Sequence, residues 1–192
     1  MTLKFIFVVL CLVVALVSYF TCRSKKDWLW LVLALAATVG ADYFLVLHNI
    51  HLMGVAVFCF AHMAYIMRAV YDTDTSDRCR LWRCLPLAVV PVVGLAFVLA
   101  NIYLVAGVYA ALFITNIYVS ARYVRHNRVL VIAGLLLFAA CDLCVFLFNL
   151  PFYMGAPSWL TSIFPLIWVF YLPSQALLAV SAVDYTSLHS RS

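Results

Sequence analysis

Two aspartates sit where a carboxylate is costly. Asp42 lies in TVGADYFLVLHN, fourteen residues into an apolar run that opens at Trp28, and Asp142 lies in LFAACDLCVFLFN, inside a second such run. Both runs are long enough to cross a bilayer as helices. A charged side chain facing lipid there costs about 2.5–3.5 kcal/mol on insertion scales, so both aspartates are expected to face the interior of a helix bundle. Two carboxylates enclosed together favour sharing a proton, which leaves one acid and one base. The plainer alternative is hydrogen bonding between helices to Ser, Asn or Tyr.

Other residues share helical faces with chemical potential. In FCFAHMAYIMRAV, His62 and Tyr65 are three apart and so lie on one face, with His62 near mid-membrane. A lone histidine in an apolar helix is often a hydrogen-bonded packing residue. In FYLPSQALLAVS, Tyr171 and Gln175 are four apart, and Pro173 frees a backbone carbonyl. Thr115 and Asn116 read as polar glue between helices. A zinc site from Asp42, Asp142 and His62 has little support, because neither H-E-x-x-H nor paired Cys/His spacing is present; no metal or other cofactor is expected. G-x-S-x-G, a phosphate-cradling glycine loop and a Walker motif are also absent, which leaves serine hydrolases and nucleotide enzymes without a signature. Cys141 and Cys144 form a C-x-x-C only on paper, since an apolar helix lacks the electropositive surroundings that activate a thiol; Cys11 and Cys59 likewise read as small packing residues. Cys79 and Cys84 fall in a connection expected to stay reduced.

The elements that must position these residues are helices. Of 192 residues 68% are hydrophobic and only 10% charged, with a mean hydropathy of +1.13, which excludes a water-soluble domain. Seven apolar runs are expected to span a membrane: 3–20, 28–47, 50–71, 85–100, 102–121, 129–148 and 160–183. Short connections leave room for one helical domain over 1–183 and a tail of 184–192. The first run could be a signal peptide, but no A-x-A-like site follows it and RSKK does, which favours a retained helix. The net charge of +5 concentrates in TCRSKKD, DTDTSDRCRLWRC and RYVRHN, whereas HNIH and NLPFYMGAPSW carry no Lys or Arg. Basic connections favour the cytoplasmic side, so the N-terminus is expected outside and the C-terminus inside. The basic charge then reports topology and contact with anionic lipid, with no role for nucleic acid.

On this layout Asp42 and Asp142 share a depth, each roughly 8–9 Å from the outer end of its helix at 1.5 Å per residue. Both begin a D-x6-N spacing, to Asn49 and Asn149, with Leu47 and Leu147 in register. That pattern hints at a parallel repeat of the second and third helices by the sixth and seventh. Five further aspartates, Asp27, Asp72, Asp74, Asp77 and Asp184, fall in expected connections or the tail.

Together, GAD with Asp42, Gly54, FAHMAY with His62 and Tyr65, GLLLF at 134–138, CD with Asp142, and FYLPSQALLAVS with Tyr171, Gln175 and Ser181 resemble the YhhN-like family of multi-pass membrane proteins. The resemblance covers residues 1–183. Departures are G-A-D for the usual G-D, C-D for S-D, Leu172 where a second Tyr is common, and Phe5 after Lys4 where the family often has Pro. The characterised animal members of that family are lysoplasmalogenases. The resemblance therefore implies hydrolysis of the vinyl ether bond of a lysoplasmalogen to a fatty aldehyde and a glycerophospho-choline or -ethanolamine.

That chemistry suits the residues. Protonation of the alkene carbon gives an oxocarbenium ion, which water captures to form a hemiacetal. A carboxyl pair supplies the same parts in glycoside hydrolysis. Asp42, Asp142 and His62 are the expected catalytic groups. Tyr65, Tyr171, Gln175, Asn116 and Lys4 are expected around the lysophospholipid, Lys4 as a phosphate partner or a snorkelling anchor. A proton-coupled carrier of lipid or small molecules would use the same intramembrane aspartates and histidine. The host membrane, bacterial cytoplasmic or endoplasmic reticulum, stays open, as does the oligomeric state.

Overall fold

With no water in a bilayer core, each backbone N–H and C=O must be satisfied within the chain, so apolar runs of this length become helices. The computed structural model describes residues 2–71, 85–98 and 101–184. These form α1 (Thr2–Val17), α2 (Lys25–Asp42), α3 (His51–Tyr71), α4 (Leu85–Val98), α5 (Ile102–Tyr123), α6 (Arg128–Met154) and α7 (Phe164–Val180), with no strand among the described residues. A 3-10 turn at Ser18–Phe20 extends α1, a wide π-turn at Tyr43–Leu47 extends α2, and a 3-10 stretch at Ser158–Ile163 leads into α7. Among the described residues five segments are long and apolar enough to cross a membrane: Lys25–Leu47, His51–Tyr71, Ile102–Tyr123, Arg128–Phe152 and Ser158–Val180. The connection 72–84, with Cys79 and Cys84, and the tail 185–192 lie outside the described residues.

Boundaries follow local chemistry. Ser24 caps α2 by accepting from the Asp27 amide, and Asn101 caps α5 by accepting from the Leu104 amide at 3.1 Å. The α2 helix thus opens at Lys25, three residues before the expected Trp28, and Asp27 belongs to its first turn rather than to a connection. The α6 helix continues past the expected Phe148 and through Pro151 to Met154, where Gly155 at φ 65° ends it in the left-handed conformation.

Six helices close a ring in the order α1, α2, α3, α5, α6, α7 and back to α1, and α4 packs outside on α5 and α3. The tightest pairs are α2 with α3 and α6 with α7. Two glycines set these close approaches. A Cβ on Gly54 would sit 2.3 Å from Leu45 Cγ in the π-turn, and one on Gly134 would sit 2.8 Å from Leu178 Cγ and 3.3 Å from the Ser174 carbonyl. The outward face is apolar: Ile114, Leu143 and Val169 are 70%, 58% and 58% exposed, as suits a surface meeting lipid tails.

One end of the ring is tied by hydrogen bonds. The Asp184 amide donates to the Thr21 carbonyl at 3.0 Å, and Asn127 Nδ2 donates to the carbonyls of Ser181 and Val183 at 3.0 and 2.7 Å. The basic connections 21–26 and 122–128 therefore meet at the same end. Arg68 joins them from α3, its Nε and Nη2 donating to the two Asp27 carboxylate oxygens at 2.6 and 3.0 Å and its Nη1 donating to Ser181 Oγ at 2.6 Å. The D-x6-N spacings do not fold alike: Asn49 turns the chain at φ 55°, whereas Asn149 stays helical and donates back to the Val145 carbonyl.

Candidate functional site

The interior of the ring is built around Phe138 of α6, only 1% exposed. Its ring lies 5.7 Å from Phe58, 5.5 Å from His62, 5.3 Å from Phe113 and 5.6 Å from Tyr171, so α3, α5 and α7 meet on one side chain of α6. Such edge and tilted contacts fix ring orientations beyond the burial of area alone. The polar residues named from the sequence are arranged around this aromatic hub.

Asp42 ends the regular part of α2, where the chain widens into the π-turn, a local geometry frequent at functional positions. It is 5% exposed, and its Oδ2 accepts from the Tyr171 hydroxyl at 2.6 Å. Asp142 is half-buried on α6 and accepts, also through Oδ2, from the Tyr109 hydroxyl of α5 at 2.5 Å. Each carboxylate therefore keeps one oxygen tied to a tyrosine on another helix. Tyr171 lies 5.6 Å from Phe138, and Tyr109 5.1 Å from His62, which is itself 5.5 Å from Phe138, so the two pairs border one aromatic cluster.

His62 is fully enclosed. Its ring stacks on Phe113 with centroids 4.4 Å apart and lies 5.1 Å from Tyr109. Ser120 Oγ donates to Asn116 Oδ1 at 3.1 Å, which turns the Asn116 amide nitrogen toward His62 Nδ1, also at 3.1 Å. An amide NH2 only donates, so Nδ1 must accept, and the proton of the neutral ring sits on Nε2. That N–H has no hydrogen-bond partner among the described residues. His62 is thus presented as a donor through Nε2.

The same holds for three further residues. The Tyr65 hydroxyl, Ser174 Oγ and both amide atoms of Gln175 are buried with no hydrogen-bond partner among the described residues. Of the residues named from the sequence, Asp42, Asp142, His62, Tyr65, Tyr171 and Gln175 all turn into the ring. Asn116 is spent on His62 and Ser120, which makes it the support of the histidine, and Thr115 Oγ1 donates to the Ala111 carbonyl of its own helix instead of bridging to another. Lys4 lies on α1, with its side chain outside the described residues. No group of three or more His, Cys, Asp or Glu is placed to hold a metal ion among the described residues.

Sequence reasoning missed three participants. Tyr109, partner of Asp142, carried a usable signal: it lies seven residues before Asn116 and therefore on the same face of α5. Ser174 adjoins Gln175 and was hidden by it. The pairing of Asp27 with Arg68 joins two residues 41 apart, and no local spacing marks it.

A ring of apolar helices enclosing two tyrosine-bound carboxylates and a histidine defines a multi-pass helical membrane protein with a polar site in its interior. The sequence pattern of the YhhN family matches residues 1–182, and the chain belongs to that family. No curated protein and no solved structure matches it.

Proposed function

We propose that this protein is a lysoplasmalogenase-like hydrolase of the membrane, cleaving the vinyl ether bond of a lysoplasmalogen. The observation that carries the reading is the pair of interior carboxylates, each bound through one oxygen to a tyrosine hydroxyl, in a chain of the YhhN family.

In this mechanism one aspartate, protonated, gives its proton to the alkene carbon remote from the ether oxygen. Electrons of the double bond form the new C–H bond, and the positive charge spreads over the adjacent carbon and the oxygen. The second aspartate, ionised, stabilises that oxocarbenium ion and takes a proton from the water that attacks the cationic carbon. The second aspartate then returns its proton to the glycerol oxygen while the first takes the hemiacetal hydroxyl proton, and the carbon–oxygen bond breaks to give the fatty aldehyde and the glycerol hydroxyl of the headgroup fragment, restoring both carboxyls. One water is consumed per turnover. Tyr109 and Tyr171 hold the carboxylates in place, and the Nε2–H of His62 orients an oxygen of substrate or water.

The test is fatty aldehyde release by purified protein in detergent micelles. Choline and ethanolamine lysoplasmalogens are each compared with their saturated alkyl ether analogues, which have no alkene to protonate. Release from the vinyl ethers alone supports the reading and identifies the headgroup. No release from any of them overturns it, and movement of lysolipid into sealed vesicles would then favour the carrier.

A further inference from the structure

Two cross-links bracket a stretch of the ring interior between α3 and α7. At one level His62 of α3 and Tyr171 of α7 flank Phe138, at 5.5 and 5.6 Å. At the other, Arg68 of α3 donates to Ser181 at the end of α7. Both helices advance in the same direction between these levels, by about 9 Å on α3 and about 15 Å on α7 at 1.5 Å per residue. Inside this interval lie five buried polar atoms with no hydrogen-bond partner among the described residues: His62 Nε2, Tyr65 Oη, Ser174 Oγ, and Gln175 Oε1 and Nε2. Their residues are at most 3% exposed.

Leaving so many polar groups unpaired in a closed interior costs more than their hydrogen bonds would return, and protein interiors resolve this with ordered water bonded to about three groups each. The composition of the set selects the ligand. His62 Nε2–H and the Gln175 NH2 donate, the Gln175 carbonyl accepts, and the Tyr65 and Ser174 hydroxyls do both. An anion would call for donors alone and a cation for acceptors alone. Arg68, the cation at one end of this stretch, is engaged by Asp27 and Ser181. A mixed set suits a small neutral molecule that donates and accepts.

We propose that this interval holds a file of ordered water running from the Arg68 and Asp27 end of the bundle to the Asp42 and Tyr171 pair, and that it feeds the water consumed in hydrolysis. Gln175 lies one turn from Tyr171 on the same face of α7, so the file ends beside the hydroxyl that Asp42 binds. The feeding role rests on the hydrolase reading; the hydration stands without it.

X-ray hydroxyl-radical footprinting tests both on the full chain in detergent micelles without lipid substrate, because radicals made from bound water oxidise the side chains beside it. After correction for intrinsic reactivity, His62 and Tyr65 should be oxidised severalfold faster than Phe138 and Phe113, although all four are buried. The Ser174→Val and Gln175→Leu variants should lower oxidation of Tyr65 severalfold. They should also lower kcat for aldehyde release by a similar factor. Oxidation of His62 and Tyr65 no faster than that of Phe138 in the wild-type protein overturns the water file, whatever the activity. Fast oxidation in a protein that releases no aldehyde keeps the file and removes its role in hydrolysis.

Discussion

Arg68 and Asp27 close one end of the ring, and their burial predicts an asymmetric response to mutation. The side chain of Arg68 is 4% exposed and that of Asp27 13%. Asp27→Ala leaves a buried guanidinium with Ser181 as its hydrogen-bond acceptor. Breaking a buried pair from one side costs about 3–5 kcal/mol, because the remaining charge is uncompensated. For a chain of this size 1 kcal/mol moves Tm by about 2–4 °C, so Asp27→Ala should lower Tm by about 6–20 °C. Arg68→Met should cost less. It removes the more deeply buried charge, retains an apolar stem, and leaves Asp27 in the first turn of α2, where the helix dipole favours a carboxylate. The double variant should be more stable than Asp27→Ala alone, since no buried charge remains. Thermal unfolding in detergent, followed by tryptophan fluorescence, measures all three. A double variant less stable than either single change, or an Asp27→Ala variant that melts with the wild type, would refute the clasp.

Tyr109→Phe and Tyr171→Phe each remove a hydroxyl donor to a carboxylate while keeping the ring in the aromatic cluster. A hydrogen bond to a charged group contributes about 1.5–3 kcal/mol, so each variant should lose roughly tenfold to a hundredfold in aldehyde release while remaining monodisperse by size-exclusion chromatography. Gly134→Ala should overpack the crossing of α6 and α7 by about 1–3 kcal/mol, read as a lower Tm, because the added carbon meets Leu178 and the Ser174 backbone. Gly107→Ala, where nothing lies within 4 Å of the added carbon, should not lower Tm and should raise it slightly, since Ala suits a helix interior better than Gly.

Helix existence was legible because an apolar run of bilayer length in a nearly uncharged chain has no other stable form. The ends were less so: α2 starts early because Ser24 caps it, and α6 runs on through Pro151 until Gly155 stops it. Asp42, Asp142 and His62 were legible because an ionisable residue in such a run has a cost that sequence alone exposes. Their partners were not. Which tyrosine meets which aspartate depends on the order of helices around the ring, and that order is set by close contacts such as Gly54 on Leu45 and Gly134 on Leu178, which no periodicity encodes. The D-x6-N spacing that Asp42 and Asp142 both begin suggested a repeat, yet their tyrosines come from α7 and α5, on opposite sides of α6 in the ring. Gly54 and Gly134, noted as motif residues, owe their place to helix contact and not to chemistry.

The carboxylates themselves carry the account. The measurement that tests it most directly is fatty aldehyde release from a lysoplasmalogen by wild-type protein, Asp42→Asn and Asp142→Asn, purified in parallel and matched for folded yield. Asn preserves the shape of Asp but cannot give or take the proton. Release by the wild type and none by either variant is the predicted result. Near-full release by either Asn variant would contradict the assignment of the aspartate pair as acid and base.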